Sequence, residues 1–508
     1  MALAITNCVA LTGLAGNLIQ VEVDISEGLP GFTLLGLPDA ALSESRERVR
    51  AAVINSGEIW PNRKITVSLS PAWLPKSGSG FDLPIAIALL GAQGLLPSES
   101  LESWAYLGEL SLEGNVRELR GVLPAVLAAK KFGVTRILVP AKNYFEANCV
   151  TGIEVIGVND LREVINLLRH GVAPPEILAP HSNFNSESSL DLQDVAGQLL
   201  PRRALEISAI GGHHLLFIGP PGTGKTMLAE RIPSILPQLT PESALEVTAI
   251  HSVAGNLNNR SLLSNLPPFV SPHHTTTSAA MVGGGSHIIK PGATSLAHHG
   301  ILFIDEAPEC ARGVLDSLRQ PLESGSVTIS RSIGSITYPA RFMLVLAANP
   351  CPCGKYSGKS RGCSCSQLSI RRYLQKLSGP LLDRIDIRVY VEPPSRVEMA
   401  SEELGESSQD VRKRVEIARS IALERFAKSS WQLNSQIPPE ALRKQFRAAK
   451  AGMNLLNIEL EKERISARGF HKVLRVAWSI ADSAGHVVPD ESDVAEAYGL
   501  REGLEFLG

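Results

Sequence analysis

The sequence predicts a multidomain α/β protein built from three successive regions. Residues 1–172 alternate short strand patterns with helical patterns, and residues 191–395 repeat that alternation, which favours a parallel α/β core. From residue 396 only helical periodicity remains, so we predict a helical C-terminal domain over 396–508. Residues 173–190, rich in proline and serine, are typical of a linker. A length of 508 residues agrees with about two to four domains.

Composition excludes several classes of protein. Lys and Arg number 49 and Asp and Glu 51, so the formal charge of −2 excludes a globally basic DNA coat and confines any nucleic-acid contact to a local patch or channel. Seven cysteines, an odd number, are not typical of a secreted disulfide framework. No apolar run reaches the ~18 residues of a membrane span, and residues 1–16 lack the positive segment of a signal peptide. We therefore expect a cytoplasmic protein without membrane contact.

Periodicity gives the individual elements. Val and Ile enrichment with period-two alternation predicts strands at 18–24 and 65–69. Helical spacing of apolar residues in the first region predicts helices at 42–55, 83–90 and 122–131. In the C-terminal region the same spacing predicts helices at 409–427, 438–448, 452–465, 470–484 and 491–497.

The clearest motif is a phosphate-binding loop. An apolar strand pattern at 215–218 leads into a G-x-x-x-x-G-K-T run that opens a helix, formed by Gly219, Pro220, Pro221, Gly222, Thr223, Gly224, Lys225 and Thr226. Glycines let backbone N–H groups close around phosphate oxygens, and the helix N-terminus adds its positive dipole end. This spacing predicts that Lys225 binds the β- and γ-phosphates of ATP and that Thr226 ligates Mg²⁺.

Two further apolar strand patterns end in polar side chains. The pattern at 301–304 ends in Asp305, which would hold Mg²⁺, and Glu306, which would activate the attacking water. The pattern at 342–348 ends in Asn349, which would fix that water beside the γ-phosphate. The alternatives are an ordinary helix N-cap for the two acids and a turn residue before proline for Asn349.

Arg384 lies between Asp383 and Asp386, just before a strand pattern at 388–391. An arginine at this place would complete a neighbouring subunit's site as an arginine finger. The alternative is a local salt bridge to one of the two flanking acids.

Four of the seven cysteines fall within fifteen positions, namely Cys351, Cys353, Cys363 and Cys365. Soft thiolates converging from two ends of one loop are typical of tetrahedral Zn²⁺, although C-x-C spacing is tighter than that of common zinc ribbons. The tip of this loop carries Lys355, Lys359 and Arg361, which suit contact with DNA phosphates. Free loop thiols are the alternative interpretation.

Taken together, the phosphate loop, the Asp-Glu and Asn strand ends, the late arginine and the helical C-terminus resemble an AAA+ ATPase. A hairpin pattern at 326–341 before the Asn strand resembles the branch that contains Mg-chelatase ATPase subunits and MCM helicases. Several segments resemble the bacterial ComM/YifB family of Mg-chelatase-like proteins over nearly the whole length: 31–39 (GFTLLGLPD), 81–84 (FDLP), 272–275 (PHHT), 318–323 (LRQPLE) and 349–354 (NPCPCG).

This resemblance implies a homo-hexameric AAA+ motor that binds single-stranded and branched DNA without sequence preference, together with recombination proteins. It implies ATP-driven branch migration during recombination of incoming DNA in natural transformation. In the helical lid, Arg468 resembles the second sensor of the γ-phosphate, with Arg475 as its competitor. Glycine-rich segments at 273–290 and the hairpin with Arg331 are the candidate DNA contacts. The alternative is a Mg-chelatase-like ATPase that remodels a protein partner.

Residues 71–131 resemble the S5-fold catalytic domain of Lon-type proteases, whose catalytic pair is Ser and Lys. The nucleophile position falls on Gly80 and the lysine position on Leu123, so we predict a non-catalytic Lon-like domain and no protease activity. Such a domain would serve as a ring scaffold or as a DNA-binding collar, for which the candidate contacts, or simply a solvated face, are Arg46, Arg48, Arg50 and Lys76.

Overall fold

The computed structural model divides the chain into two units. The first comprises Met1–Asn185 with Ala244–Ser264, and the second comprises Ser186–Ser243 with Asn265–Gly508. The described residues are 2–36, 42, 44–74, 76, 78–178, 190–257, 263–285, 289–331, 334–356, 362–395, 398 and 405–503. Most of the predicted linker (179–189), the end of the 31–39 motif, the hairpin turn at 332–333, and Lys359 and Arg361 lie outside them.

The first unit is built on a mixed seven-stranded sheet. The strands of the sheet are β1 (Ala2–Thr12), β2 (Ala15–Ser26), β3 (Gly31–Leu35), β4 (Lys64–Ser70), β5 (Trp104–Tyr106), β8 (Arg136–Pro140) and β9 (Glu154–Val158). A small separate pair is formed by β6 (Glu109–Leu110) and β7 (Val116–Arg117). The order is β3-β4-β2-β1-β5-β8-β9, with antiparallel pairing of β2 to β1 and to β4 and parallel pairing elsewhere. The predicted strands at 18–24 and 65–69 are confirmed as parts of β2 and β4.

Alternation explains how this sheet packs. Ile19, Val21, Val23 and Ile25 of β2 are buried, while the residues between them face outward to varying degrees. The helices of this unit are Ser45–Asn55, Asp82–Ala92, Ser98–Ser103, Val122–Lys131, Tyr144–Ala147 and Leu161–His170. Its core also includes Ala249, from the part of the Pro241–Ala254 helix that belongs to the first unit.

The second unit contains a five-stranded parallel sheet. Its strands are β10 (Leu215–Ile218), β11 (Phe269–Val270), β14 (Ile301–Ile304), β17 (Met343–Ala348) and β18 (Ile387–Tyr390), in the order β11-β14-β17-β10-β18. Every residue of β14 and β17 is buried, as expected of central parallel strands covered on both faces. The predicted parallel α/β core is thereby confirmed.

Two small antiparallel pairs are added to this core. They are β12 (Gly283–Gly284) with β13 (Lys290–Pro291), and the predicted hairpin, formed by β15 (Ser326–Arg331) and β16 (Gly334–Pro339). The helices of the core are Leu199–Gly211, Lys225–Glu230, Ile232–Ile235, Ser278–Val282, Ala293–Leu296, Arg312–Ser317, Arg319–Ser324, Gln367–Leu374 and Gly379–Leu382.

The C-terminal region is helical, as predicted. Its helices are Ser408–Arg425, Pro439–Lys444, Lys450–Glu461, Ala467–Ala484 and Glu491–Glu502. The second is shorter than the predicted 438–448, since the chain leaves the helix where the Phe446 carbonyl accepts the Trp478 indole N–H at 2.9 Å. Within the described ranges, no helix is long and apolar enough to cross a membrane.

Candidate nucleotide site and its surroundings

The phosphate-binding loop connects β10 to the Lys225–Glu230 helix. Gly222 and Gly224 adopt φ values of 76° and 87°, a left-handed conformation that glycine reaches without steric cost. The Lys225 ammonium lies inside this loop and donates to the carbonyl oxygens of Gly219 at 2.7 Å and Pro220 at 2.8 Å. Backbone carbonyl groups of the loop therefore hold the lysine side chain inside it.

Lys225 also reaches the end of the neighbouring strand. Its ammonium donates to the Asn349 side-chain oxygen at 3.3 Å, because β10 and β17 pair in parallel with Ile218 opposite Ala348. Burial lowers the pKa of Lys225, and the negative charges of Asp305 and Glu306 oppose that shift. An anionic phosphate in this loop would further favour the charged form of the lysine.

The two acids at the end of β14 face the loop in different ways. The Thr226 hydroxyl donates to Asp305 Oδ2 at 2.8 Å, which places a hydroxyl and a carboxylate side by side as Mg²⁺ ligands require. Glu306 is exposed and adopts the left-handed region at φ 48°, and its backbone N–H donates to Asp305 Oδ1 at 2.8 Å. Strain of this kind clusters at functional sites.

Two members of this site were missed from the sequence. His274 Nδ1 lies 3.6 Å from Glu306 Oε2, so a histidine of the PHHT segment does have a carboxylate neighbour. Gln198, also left-handed at φ 52°, donates from Nε2 to the Thr223 carbonyl at 2.5 Å and so braces the phosphate loop. The only sequence signal was the PHHT segment itself, since neither contact is local in the chain.

Arg384 is held by neither of its flanking acids. It forms an ion pair with Glu323, donates to the Pro380 carbonyl at 2.5 Å, and leaves only 16% of its side chain exposed. No contact within the described residues joins Arg384 to the cluster around Lys225 and Asp305. Within the described residues, the partners of its guanidinium are therefore Glu323 and the Pro380 carbonyl.

The two candidate sensor arginines differ in their surroundings. Arg475 is largely buried and donates from Nε to the Ile437 carbonyl at 2.8 Å, a contact internal to the helical region. Arg468, in the first turn of the Ala467–Ala484 helix, is exposed and makes no ion pair or hydrogen bond with the described residues. These surroundings favour Arg468 over Arg475 as a ligand-binding group.

The four clustered cysteines converge. The sulfur of Cys351 lies 3.3 Å from that of Cys353 and 3.7 Å from that of Cys363, and all four, with Cys365, lie within 4.8 Å of one another. Sulfurs bound at 2.3 Å to a tetrahedral zinc ion would lie about 3.8 Å apart, so the spacing and the donor set fit Zn²⁺. All four are free rather than joined in disulfides.

The cysteine loop packs against the phosphate loop. A Cβ added to Gly354, which has φ 74°, would lie only 2.5 Å from the Pro221 ring. Glycine is therefore required here on two grounds, its backbone conformation and the close approach of Pro221. The conformations of the two loops are linked through this contact.

Two of the candidate DNA contacts of the second unit, the β12–β13 pair and the β15–β16 hairpin, lie together. The buried Tyr338 hydroxyl of β16 donates to the Ile289 carbonyl at 2.8 Å, and the Arg331 guanidinium lies beside Gly284. Arg331 and Lys290 are exposed, and the sequence 326–341 has no acidic residue. We call this surface the hairpin surface, defined by β12, β13, β15 and β16. Met281 itself is buried, and His287 lies outside the described residues.

The candidate DNA contacts of the first unit differ in their exposure to solvent. Arg48 forms an ion pair with the fully buried Asp82, with Nε 2.7 Å from Oδ2, and Lys76 is 1% exposed. These two residues are therefore structural, whereas Arg46 and Arg50 remain exposed. Gly80 lies in a short 3₁₀ turn, Ser79–Phe81, and Leu123 is fully buried in the Val122–Lys131 helix.

Comparison with known proteins places the whole chain. Three family profiles match: "magnesium chelatase, subunit ChlI" over residues 191–399, "subunit ChlI of Mg-chelatase" over 21–143, and its C-terminal domain over 405–501. An uncharacterized protein of Mycobacterium tuberculosis is 49% identical over 502 residues, which cover 99% of each chain.

Two further full-length relatives carry family names. Competence protein ComM of Haemophilus influenzae is 41% identical over 100% of this chain and 99% of its own. YifB of Escherichia coli, described as uncharacterized, is 42% identical over 100% of this chain and 97% of its own. Lon protease of Mycolicibacterium smegmatis is 25% identical over 174 residues, which cover 32% of this chain and 22% of the protease. The chain belongs to the ComM/YifB family of Mg-chelatase-like proteins.

Proposed function

We propose that this protein is an ATP-dependent hexameric DNA translocase that promotes branch migration when incoming DNA recombines during natural transformation. The observation that carries the proposal is the hydrogen-bonded set Lys225, Thr226, Asp305 and Asn349 in a chain with full-length similarity to a competence protein. Membership of the Mg-chelatase family, an AAA+ ATPase-like family, supports the use of ATP and Mg²⁺.

In this account the chain's own residues carry out hydrolysis in defined roles. The backbone of residues 219–224 and Lys225 bind the β- and γ-phosphates of ATP. Thr226 and Asp305 are the residues that would hold a Mg²⁺ ion, which would supply neutralisation of phosphate charge. Glu306 accepts a proton from the attacking water, and Asn349 orients that water beside the γ-phosphate.

Two arginines complete the site from different subunits. Arg384, whose described partners are Glu323 and the Pro380 carbonyl, acts on the γ-phosphate bound by a neighbouring subunit. Arg468 contacts the nucleotide of its own chain from the lid. The pairing of Arg384 with Glu323 rather than with Asp383 or Asp386 agrees with a role other than a salt bridge to its flanking acids.

The hairpin surface supplies the contact with DNA. Arg331 and Lys290 bind phosphates, while the hydroxyl groups of β15 and β16 and the glycines of β12 let the strand slide. Binding of this kind is independent of sequence and weakens with salt.

We also propose that Cys351, Cys353, Cys363 and Cys365 bind a structural Zn²⁺ ion, supported by the separation of their sulfurs. Purified protein should contain about one zinc per chain by mass spectrometry. Cys353→Ser should lose that metal, whereas Cys149→Ser, outside the cluster, should keep it. Zinc absent from the unmodified protein would leave these residues as free thiols.

Remodelling of a protein partner is the alternative, since the family profile is that of a Mg-chelatase subunit. A synthetic four-way DNA junction separates the two functions. The unmodified protein should move the branch point in the presence of ATP, and the exchange of Arg331 and Lys290 for Ala should remove this activity while retaining basal hydrolysis. Robust hydrolysis without any branch migration would favour the protein-remodelling function.

A further inference from the structure

The segment that carries Arg384 is tied by its backbone to two lid helices. Lys472, in the Ala467–Ala484 helix, donates from Nζ to the Arg384 carbonyl at 2.8 Å. Arg501, in the Glu491–Glu502 helix, donates to the next carbonyl, that of Ile385. Two consecutive carbonyl groups are therefore bound by cations from the lid rather than by the sheet.

The same segment is anchored to the core through Asp386. Its Oδ2 accepts the backbone N–H of His214 at 2.9 Å, and its own N–H donates to the His214 carbonyl at 3.0 Å. His214 directly precedes β10, the strand that leads into the phosphate loop. Lys472 Nζ lies 2.5 Å from the other oxygen of Asp386, so a single lysine touches both the Arg384 backbone and the core anchor.

This pair is buried, with Asp386 only 3% exposed. The Lys472 ammonium beside Asp386 holds the pKa of that carboxyl well below its usual range, although burial alone would raise it. Buried ion pairs add little stability compared with apolar residues of similar volume, and their best-attested use is to fix one arrangement among several. We therefore expect the pair to contribute more to the position of the Arg384 segment than to the stability of the fold.

Lys472 also lies one helical turn from Arg468. Residues four apart share a face of a helix, so a movement of this helix at Arg468 would also move Lys472. Lys472 donates both to the Arg384 carbonyl and to Asp386 Oδ1, whereas Asp386 Oδ2 accepts from the His214 N–H of the core. A displacement of Lys472 would therefore act on the Arg384 backbone while the core holds Asp386 from its other oxygen.

We propose that Lys472 is a positioning residue that transmits the nucleotide state of one subunit to the arginine that this subunit supplies to its neighbour. The inference rests on the proposed function, in which Arg468 acts within its own chain and Arg384 acts on the next. It adds the physical link by which adjacent sites are coupled.

The test uses the full-length protein with Lys472→Met combined with Asp386→Asn, because the single change would leave a buried charge without a partner. We expect kcat for ATP to fall at least about tenfold, as small misplacements of positioned groups do. KM should change less than about twofold, because the phosphate loop of the variant is intact. Lys450→Met, at an exposed position of the lid, is the matched control and should keep the unmodified rate.

Mixed rings then separate positioning from a general defect. Glu306→Gln subunits bind ATP but hydrolyse it at least about 10²-fold more slowly, and they carry an intact Lys472 and Arg384. Mixing them with the double variant should therefore restore hydrolysis at the double variant's own phosphate loops. An unchanged kcat in the double variant would overturn the proposal. So would a lack of recovery on mixing under conditions in which Arg384→Ala subunits do recover. If Arg384→Ala subunits also fail to recover, action between subunits is itself wrong, and the inference falls with it.

Discussion

The two units of this chain differ most where the proteins they resemble carry their reactive groups. In the first unit the Lon-like positions hold Gly80, which has no side chain, and Leu123, which is buried in a helix. In the second unit the phosphate loop and two strand ends carry polar side chains that contact each other. Lys225 donates to Asn349, and Thr226, the residue after Lys225, donates to Asp305. Similarity to known proteins thus reaches both units, whereas, of the motif positions that the structure describes, those of the second unit carry polar and charged side chains and these two positions of the first do not.

Buried charges differ between the units in the same sense. Within the first unit, Asp82 pairs with Arg48 and also accepts the Leu110 N–H. Asp386 and Lys472 in the second unit join the lid, the Arg384 segment and the phosphate-loop strand. The first arrangement joins parts of one scaffold, and the second joins three segments to which we assign a role in coupling adjacent sites.

The largest effect is expected at Glu306. Glu306→Gln should lower the rate of ATP hydrolysis by about 10²- to 10⁴-fold, because the amide cannot take a proton from water. ATP binding, measured by equilibrium titration, should persist. Glu309→Gln is the matched control, since Glu309 is exposed three residues further on and its side chain pairs, among the described residues, with Lys376. Equal rates in the two variants would remove Glu306 from the site.

In the first unit, the corresponding change should affect stability and leave catalysis intact. Arg48→Met leaves the buried Asp82 without its cation and should cost about 3 kcal/mol of unfolding free energy at pH 8. Denaturant titration measures that loss, and the ATPase rate at 25 °C should be unchanged. Combining it with Asp82→Asn should return most of the stability. A large fall in the ATPase rate of a folded variant would contradict the division of roles.

The units should also respond to pH in opposite directions. Burial raises the pKa of Asp82 to about 6, so its stabilising contribution is complete below about pH 4 and is lost as pH rises through 6. Burial lowers the pKa of His213 and His214 to about 4, so their contribution is complete above about pH 6.5 and is lost as pH falls toward 4.

Hydrogen exchange read by mass spectrometry resolves the two responses. The exchange rates are first corrected for their intrinsic dependence on pH. When the pH is lowered from 6.5 to 4, protection from exchange should then rise in peptides around Asp82 and fall in peptides around His213. Asp82→Asn should flatten the first response and leave the second. Parallel changes in both units would contradict these assignments.

The smallest effect is expected where the cysteine loop meets the phosphate loop. Gly354→Ala forces a methyl group against Pro221 and should raise KM for ATP about fivefold, equivalent to about 1 kcal/mol. Gly362→Ala carries a similar backbone strain at φ 96° but meets no atom within 4 Å, so its KM should stay near the unmodified value. Equal KM values would mean that the two loops are independent.

Local pattern was enough to predict most of the architecture. The strand at 215–218, the helix at 122–131 and the parallel core follow from periodicity and motif context, which act over a few residues. The membership of residues 244–264 in the first unit was not foreseen, because an amphipathic pattern does not tell which core its apolar face covers.

The contacts that adjust the site could not be predicted from the sequence for a related reason. Gln198 meets Thr223, His274 meets Glu306 and Lys472 meets Arg384, and each pair is separated by 25 to 88 residues. No motif spans such intervals, so these contacts emerge only when the chain is folded. The flanking acids of Arg384 were the obvious partners in sequence, yet the guanidinium pairs with Glu323, on the Arg319–Ser324 helix.

The central claim is that hydrolysis in the second unit is coupled to DNA. The most direct measurement is the steady-state ATPase rate with and without single-stranded DNA across a salt titration. We expect strong stimulation that fades as salt rises, because phosphate contacts release counterions. A rate that is indifferent to DNA at every salt concentration would contradict the claim and favour a protein partner.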